Sequence, residues 1–468
     1  MNLSNRGYSI LKENIPSNEL QIVRKDLTVK PYVNQDFQAP PNPFAIYGES
    51  KRKLYVPRFY GINRFGTPAN SKLNTSKNIN VIFSKSLRPK QLPIVEKYLD
   101  VVQNEPYGGG GIISVPCGYG KTVLALYLLA KLGVKTLVVV HKEFLMNQWK
   151  ERIEEFIPEA RVGKIKQKVT KVEDKDIVIG MLQSISMIDY SEDIFKDFGF
   201  VIYDECHHLG AEVFSKALLK TNFKYLLGLS ATPKRADGLS KVFEWYLGPM
   251  VYCIKKREQE EVQVKVINYF VDDEKYSKIV KNKMGKPMLP TMINNITEYM
   301  PRTKLIVKEI IKCLHDSRKI LLLSDRRDHL KVLKEQIDLL DTYTTGYYLG
   351  GMKQRDLEES EKADVILGTF SMASEGFDCR FPLNTIVLSS PKSNIEQAVG
   401  RILRQEASKR TKIPLIIDIN DNFSLFARQT QKRIKFYKKN KYEIDSYDQN
   451  GKLINSEKHN NKEIEFLD

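Results

Sequence analysis

Pro116-Cys117-Gly118-Tyr119-Gly120-Lys121-Thr122 gathers two glycines, an amine and a hydroxyl in one short segment. That set can hold a polyphosphate. Glycines lack a Cβ, so Gly118 and Gly120 let backbone N–H groups close on phosphate oxygens. Lys121 would reach the β and γ phosphates, and the Thr122 hydroxyl would ligate Mg²⁺. The apolar run Ile112-Ile113-Ser114-Val115 enters the segment, and the helix-forming run Val123-Leu124-Ala125-Leu126-Tyr127-Leu128-Leu129 leaves it. Strand, glycine turn and helix start is the architecture of a phosphate-binding loop. The usual pattern has one more glycine six residues before the lysine, where this chain has Val115. By itself the segment therefore also reads as an ordinary strand-to-helix turn.

A second segment decides between these readings. Phe200-Val201-Ile202-Tyr203 runs into Asp204-Glu205-Cys206-His207-His208. Two carboxylates at a strand end suit a metal-assisted hydrolysis: Asp204 would hold Mg²⁺ through water, and Glu205 would orient and deprotonate the attacking water. Two plainer readings stand beside it. One is a strand capped by acidic loop residues. The other is a metal site at Cys206, His207 and His208, which three adjacent residues are poorly placed to form. Phosphate loop and strand-borne Asp-Glu together point to nucleotide hydrolysis, with ATP and Mg²⁺ as cofactors.

These residues need a scaffold that repeats strand and helix, and the sequence has one. From about 81 to 250 apolar runs alternate with helical stretches: Ile112–Val115, Thr136–Val140, Ile177–Ile179, Val201–Tyr203 and Tyr225–Leu229. Leu87-Arg88-Pro89-Lys90-Gln91 opens an amphipathic helix before the first of them. A second alternating series fills 301–445, with strand candidates Ile320–Leu323, Asp364–Leu367, Thr385–Leu388 and Leu415–Ile417 and a helix over Ile395–Arg404. This rhythm implies βα units, a parallel sheet and an α/β fold. Residues 1–80 form an N-terminal accessory region with a β-rich piece around Lys53–Gly61. Residues 251–300 are a lysine-rich connector, and 446–468 a polar, mobile tail.

The chain has 468 residues, 42% of them hydrophobic, enough for two or three domains with cores of their own. Lys and Arg outnumber Asp and Glu by 74 to 57, for a net charge of +17. An ATPase with that excess usually meets a polyanion, which makes nucleic acid the expected partner. Five scattered cysteines fit a reduced, intracellular protein, and no apolar run approaches membrane-spanning length.

The order and spacing of the motifs over 84–440 resemble superfamily 2 helicases and translocases. The XPB-like branch, with the transcript-release helicases of large DNA viruses, is the nearest resemblance. It implies two RecA-like lobes, each a mostly parallel sheet flanked by helices, plus a small N-terminal domain. Pro116–Thr122 resembles that branch's phosphate loop, which also lacks the upstream glycine. By the same resemblance Gln91 contacts adenine. His141 (in Val140-His141-Lys142), Gln183 and Ser184 (in Gly180-Met181-Leu182-Gln183-Ser184) grip the nucleic-acid backbone. Ser230 and Thr232 couple hydrolysis to lobe movement. Arg235-Ala236-Asp237 stands where relatives carry an Arg, Glu, Asp triplet, and Ala236 breaks it. In the second lobe, Arg326 and Thr369 touch nucleic acid, while Gly376 and Asp378 face the nucleotide. Gln397-Ala398-Val399-Gly400-Arg401-Ile402-Leu403-Arg404 supplies Gln397 and two arginines that reach the γ-phosphate; three apart on a helix, Arg401 and Arg404 would share one face. Trp149 reads as core. The basic stretch Arg428–Lys441 reads as a helix with solvated lysines. The function so implied is an ATP-dependent helicase or translocase acting on DNA in transcription or repair. An RNA helicase of the same superfamily, or an ATP-dependent clamp with little turnover, are the alternatives.

Overall fold

The computed structural model describes residues 1–32, 42–116, 118–206, 212–231, 238–254, 260–375, 377, 379–405 and 407–457, leaving aside the side chains of 213, 214, 374 and 375. Cys117, His207, His208, Thr232, Arg235-Ala236-Asp237, Gly376 and Asp378 lie outside the described residues. The chain divides into two compact units, residues 1–255 and 256–468.

The first unit is built on an eight-stranded sheet in the order Val169–Lys171, Val162–Lys166, Ile177–Met181, Thr136–Val140, Phe200–Tyr203, Tyr225–Ser230, Gly110–Ser114, Met250–Cys253. Every neighbouring pair is parallel except Val162–Lys166 with Val169–Lys171, which close as a hairpin at one edge. The central strands are buried along their whole length. That is why they read as continuous apolar runs: helices cover both faces of a parallel sheet. Leu92–Gln103, Lys121–Leu132 and Glu143–Phe156 pack on it through Tyr98, Leu128, Trp149 and Ile153.

Residues 1–80 carry a five-stranded sheet of their own, ordered Gly48–Glu49, Lys53–Val56, Gly7–Leu11, Asn2–Ser4, Asn70–Lys72. Its core is continuous with that of the larger sheet, since Tyr8, Ile10 and Tyr60 join one cluster with Phe223, Tyr246 and Leu247. Arg58 fastens the junction. Its buried guanidinium donates to the carbonyls of Phe223 at 3.0 Å, Lys224 at 3.2 Å, Tyr107 at 3.2 Å and Gly108.

The second unit repeats the plan: Thr345–Tyr348, Val365–Gly368, Ile320–Leu323, Thr385–Leu388, Leu415–Asp421, Gln263–Tyr269, Glu443–Asp448, Leu453–Glu457, parallel but for the last pair. Two parallel sheets flanked by helices are the two-lobe α/β architecture expected from the sequence. Several elements of this unit differ from the expectation. Gln263–Tyr269 is a strand deep in this sheet, not irregular chain, because Val264, Val266, Ile267 and Tyr269 bury against it. Glu443–Asp448 and Leu453–Glu457 make a hairpin that takes in residues 446–457 of the expected mobile tail. The helix expected over Ile395–Arg404 spans only Glu396–Val399. From Gly400 on the chain turns more tightly, with N–H groups of Arg401 and Ile402 bonded to carbonyls three residues back. Gly400 and the buried placement of Arg401 explain the change, glycine being a poor helix former.

Strand Leu415–Asp421 holds two buried ion pairs. Arg302 donates to the Asp421 oxygens at 2.6 and 2.8 Å and to Ser389 O at 2.8 Å, while Tyr276 donates to Asp421 at 2.8 Å. Arg433 and Tyr437 each donate to Asp418 at 2.8 Å. Arg302 and Asp421 are both fully buried. Asp421→Asn leaves the Arg302 charge without its partner, so the variant should lose about 3–5 kcal/mol of stability in denaturant unfolding. A loss under about 1 kcal/mol would show that this pair is not what holds helix Met300–His315 to the sheet.

Candidate functional site

Strand Gly110–Ser114 ends at a tight loop and restarts as helix Lys121–Leu132. Gly118 and Gly120 have φ of 87° and 84°, a left-handed backbone that favours glycine. Gly120 stands at the helix N-cap, so the positive end of the helix dipole lies at the end of the loop. Lys121 and Thr122 follow as the first helical residues. This is an anion cradle by construction.

Asp204 and Glu205 leave the end of strand Phe200–Tyr203, with strand Tyr225–Ser230 lying between it and Gly110–Ser114. Ser230 is buried at the end of that middle strand, its carbonyl accepting from Val115 N–H at 3.2 Å. Glu205 sits at φ 49°, a strained conformation for a residue with a Cβ, costing on the order of 1–3 kcal/mol. The strain turns its carboxylate toward the loop: Lys121 Nζ lies 3.2 Å from Glu205 Oε1, both nearly buried. Asp204 accepts from Trp149 Nε1 at 2.9 Å. Burial lifts the Asp204 carboxyl above its ordinary range, and Glu205 adds to the lift; the Trp149 N–H, Lys121 and His141 oppose it.

Gln91 is buried beneath the loop. Its Oε1 accepts from Arg88 N–H and its Nε2 donates to Tyr119 O, both at 2.9 Å. The amide assigned to adenine by resemblance thus ties the Pro89–Gln91 turn to the phosphate loop. Trp149 is the functional neighbour that the sequence reading put down as core. It is core, yet a buried indole N–H seeks an acceptor, and here it takes the carboxylate.

The expected nucleic-acid contacts form a second group in the same unit. His141 follows strand Thr136–Val140, and its carbonyl accepts from Gln183 Nε2 at 2.8 Å. Ser184 is buried, and its hydroxyl accepts from Gln167 N–H at 2.8 Å. In the second unit Arg326 follows strand Ile320–Leu323 and donates to Pro290 O at 2.9 Å and to Asn294. Thr369 follows the neighbouring strand Val365–Gly368. Gln397 lies on the short helix Glu396–Val399. Arg401 is buried and donates from Nε to Ala373 O at 2.6 Å, while Arg404 is half-exposed. Both line a cavity of about 300 Å³ with Phe377, Cys379, Arg380 and Phe381.

The fit to a metal-bound nucleotide can be tested on these groups. Among the described residues no set of three His, Cys, Asp or Glu side chains converges on one point. Mg²⁺ in a nucleotide site asks for less, one or two carboxylates with phosphate oxygens and water completing the shell. Asp204 at its strand end and the Thr122 hydroxyl on the first helical turn are donors of the kind such an ion takes, and a cation would relieve the two neighbouring carboxylates. Of the alternative ligand set, Cys206 is buried, and His207 and His208 lie outside the described residues. Among the described residues no helix is long and apolar enough to cross a membrane.

A family model described as "Type III restriction enzyme, res subunit" matches residues 84–235, the stretch that carries the phosphate loop and Asp204-Glu205. A protein of Acanthamoeba polyphaga mimivirus, provisionally named ATP-dependent RNA helicase L396, is 34% identical over 94% of this chain and 86% of its own length. One from African swine fever virus (strain Badajoz 1971 Vero-adapted), provisionally named ATP-dependent RNA helicase QP509L, is 26% identical over 72% of this chain and 70% of its own. Helicase 161L of Invertebrate iridescent virus 6, again a provisional name, is 27% identical over 79% of this chain and 84% of its own. With identity of this extent carried through both units, the chain belongs to the superfamily 2 helicases and is a nucleic-acid helicase that hydrolyses ATP.

Proposed function

We propose that the chain is a DNA translocase or helicase whose ATP site is the loop 116–122 with Asp204 and Glu205. The Lys121–Glu205 pair carries this reading. An amine at a helix N-terminus and a strained carboxylate from another strand face each other, each able to change partner when a polyphosphate arrives. Lys121 then exchanges Glu205 for phosphate oxygens. Glu205, released, orients a water and takes its proton. Gly118 and Gly120 keep the backbone N–H groups open to the phosphates. Thr122 and Asp204 would hold Mg²⁺, which neutralises charge developing on the phosphates. Trp149 holds one Asp204 oxygen by its N–H, which fixes the carboxylate that would serve the metal. The resemblance adds Gly376 and Asp378 at the nucleotide and Gln397, Arg401 and Arg404 at the γ-phosphate. It also adds His141, Gln183, Ser184, Arg326 and Thr369 along the backbone of the nucleic acid.

Likeness to the XPB-like branch supports DNA as the track and transcription or repair as the setting. The names of the mimivirus and African swine fever virus relatives support RNA as the second reading. The net charge of +17 serves either polymer, since both present phosphates. Steady-state ATPase rates with duplex DNA, single-stranded DNA and single-stranded RNA decide between them. DNA should stimulate turnover most, with a stimulation that declines steeply as salt rises and varies little with sequence. Stimulation by RNA alone would overturn the DNA assignment. Equal turnover with and without any polymer would overturn the translocase reading and favour a clamp.

A further inference from the structure

We propose that the hairpin Val162–Lys166/Val169–Lys171 is a nucleic-acid contact surface, taking phosphodiester oxygens on Lys164, Lys168 and Lys171. The proposal rests on the reading that the Gln183–Ser184 segment lies along the nucleic-acid track.

The charges on the hairpin are arranged against its own stability. In register, Lys164 stands opposite Lys171 and Lys166 opposite Val169. Like charges directly opposite in a sheet are destabilising. Lys166 is matched by Glu143. Lys164, Lys168 and Lys171 are exposed and form no ion pair among the described residues. Lysines on an edge strand can serve only to block pairing with another sheet. That purpose covers Lys171 but not Lys164, which sits one strand inward. The inner strand alternates cleanly, with Gly163 and Ile165 buried and Val162, Lys164 and Lys166 on the other face. Lys164 and Lys171, as cross-strand partners, therefore share one solvent face.

The turn is held where the track is expected. Gln167 has φ 51°, donates its N–H to Ser184 Oγ at 2.8 Å and accepts from Tyr190 OH at 2.5 Å. Ser184 is buried against this turn, and Gln183 holds the His141 carbonyl. Strand Val162–Lys166 runs parallel to Ile177–Met181, so the turn lies at the same end of the sheet as Gln183 and Ser184. The hairpin is thus the exposed layer at a place where Ser184 and His141 are buried and Gln183 is half-buried. Amines fixed on a sheet lose less freedom on meeting phosphate than amines on a loose loop.

The test is a salt titration of binding by the full chain to duplex DNA, single-stranded DNA and single-stranded RNA. The variant carries Lys164→Gln, Lys168→Gln and Lys171→Gln together. A control with the same charge change carries Lys97→Gln, Lys131→Gln and Lys241→Gln, exposed positions elsewhere on the unit. The hairpin variant should lose about 2 to 3 from the slope of log affinity against log salt, and on the order of 10²-fold in affinity at moderate salt. The control should keep the parent slope. Lys171→Glu adds a check on folding: facing Lys164, it should leave the melting temperature unchanged or raised while still weakening binding. The polymer on which the loss is largest identifies the track. A steep parent slope retained in full by the hairpin variant sinks this proposal alone. A parent affinity indifferent to salt sinks the backbone-gripping reading and the hairpin with it.

Discussion

Glu205→Gln should bind ATP as well as the parent or better, and turn it over about 10²–10⁴ times more slowly. Glutamine has the shape of glutamate and can hold a water by hydrogen bonds, but it cannot take the proton. In the structure Glu205 is also the partner of Lys121 at 3.2 Å. The substitution replaces an ion pair by a charge–amide contact, so Lys121 gives up less when it moves to phosphate. Binding and turnover should therefore separate, which mere damage to the fold would not produce. Single-turnover hydrolysis followed beside equilibrium binding of a fluorescent nucleotide reads both quantities. Turnover within about threefold of the parent would remove Glu205 from the chemistry, a general base being worth far more than that. Loss of nucleotide binding as well would mean that the Glu205 charge is needed to hold Lys121 and the loop in shape, not only for the chemistry.

The sheets that position this site were legible because their strands are buried on both faces. Thr136–Val140, Ile320–Leu323 and Thr385–Leu388 were predicted at their observed bounds. Continuous β-branched and leucine runs leave little else for the chain to do. Gln263–Tyr269 was missed because its apolar residues alternate with Gln, Lys and Asn in a lysine-rich stretch; only the partners on both sides make it a central strand. Glu443–Asp448 and Leu453–Glu457 were missed because polar residues form them, the ladder alone supplying the pairing. Their turn did carry a signal, Asn450-Gly451 with Asp448 accepting from the N–H groups of Asn450 and Lys452 at 2.9 and 2.8 Å. In the site, residue types and spacing marked Gly118, Gly120, Lys121, Thr122, Asp204 and Glu205. They could not mark Trp149, since its use depends on helix Glu143–Phe156 being laid across the end of another strand. Nor could they show that Arg401 and Arg404 have different surroundings, which follows from the chain tightening at Gly400.

That difference sets the second expectation. Arg404→Ala should cut ATP turnover by about 10³–10⁵, the range for an arginine that stabilises charge on a transferring phosphoryl group. Arg404 is half-exposed and lines a cavity of about 300 Å³ together with Arg380 and Cys379. Burial raises the Cys379 thiol to about 11, so the thiol stays neutral and does not compete for the guanidinium. Arg401 is buried, and its Nε donates to Ala373 O at 2.6 Å on helix Phe370–Glu375, which follows Thr369. Arg401→Ala should therefore lose turnover and also about 1.5–3 kcal/mol of stability, the usual worth of a buried hydrogen bond from a charged group. Arg404→Lys separates charge from geometry. It keeps the cation but not the planar fork, so it should recover only part of the rate. Turnover assays paired with thermal melting of the three variants check the assignment. If Arg404→Ala keeps turnover within about tenfold, the transition-state role passes to another cation, since the loss would fall short of what an arginine in that role supplies. If Arg401→Ala melts like the parent, the bond to Ala373 is not what holds the helix, and a loss of turnover in that variant belongs to the chemistry at the nucleotide.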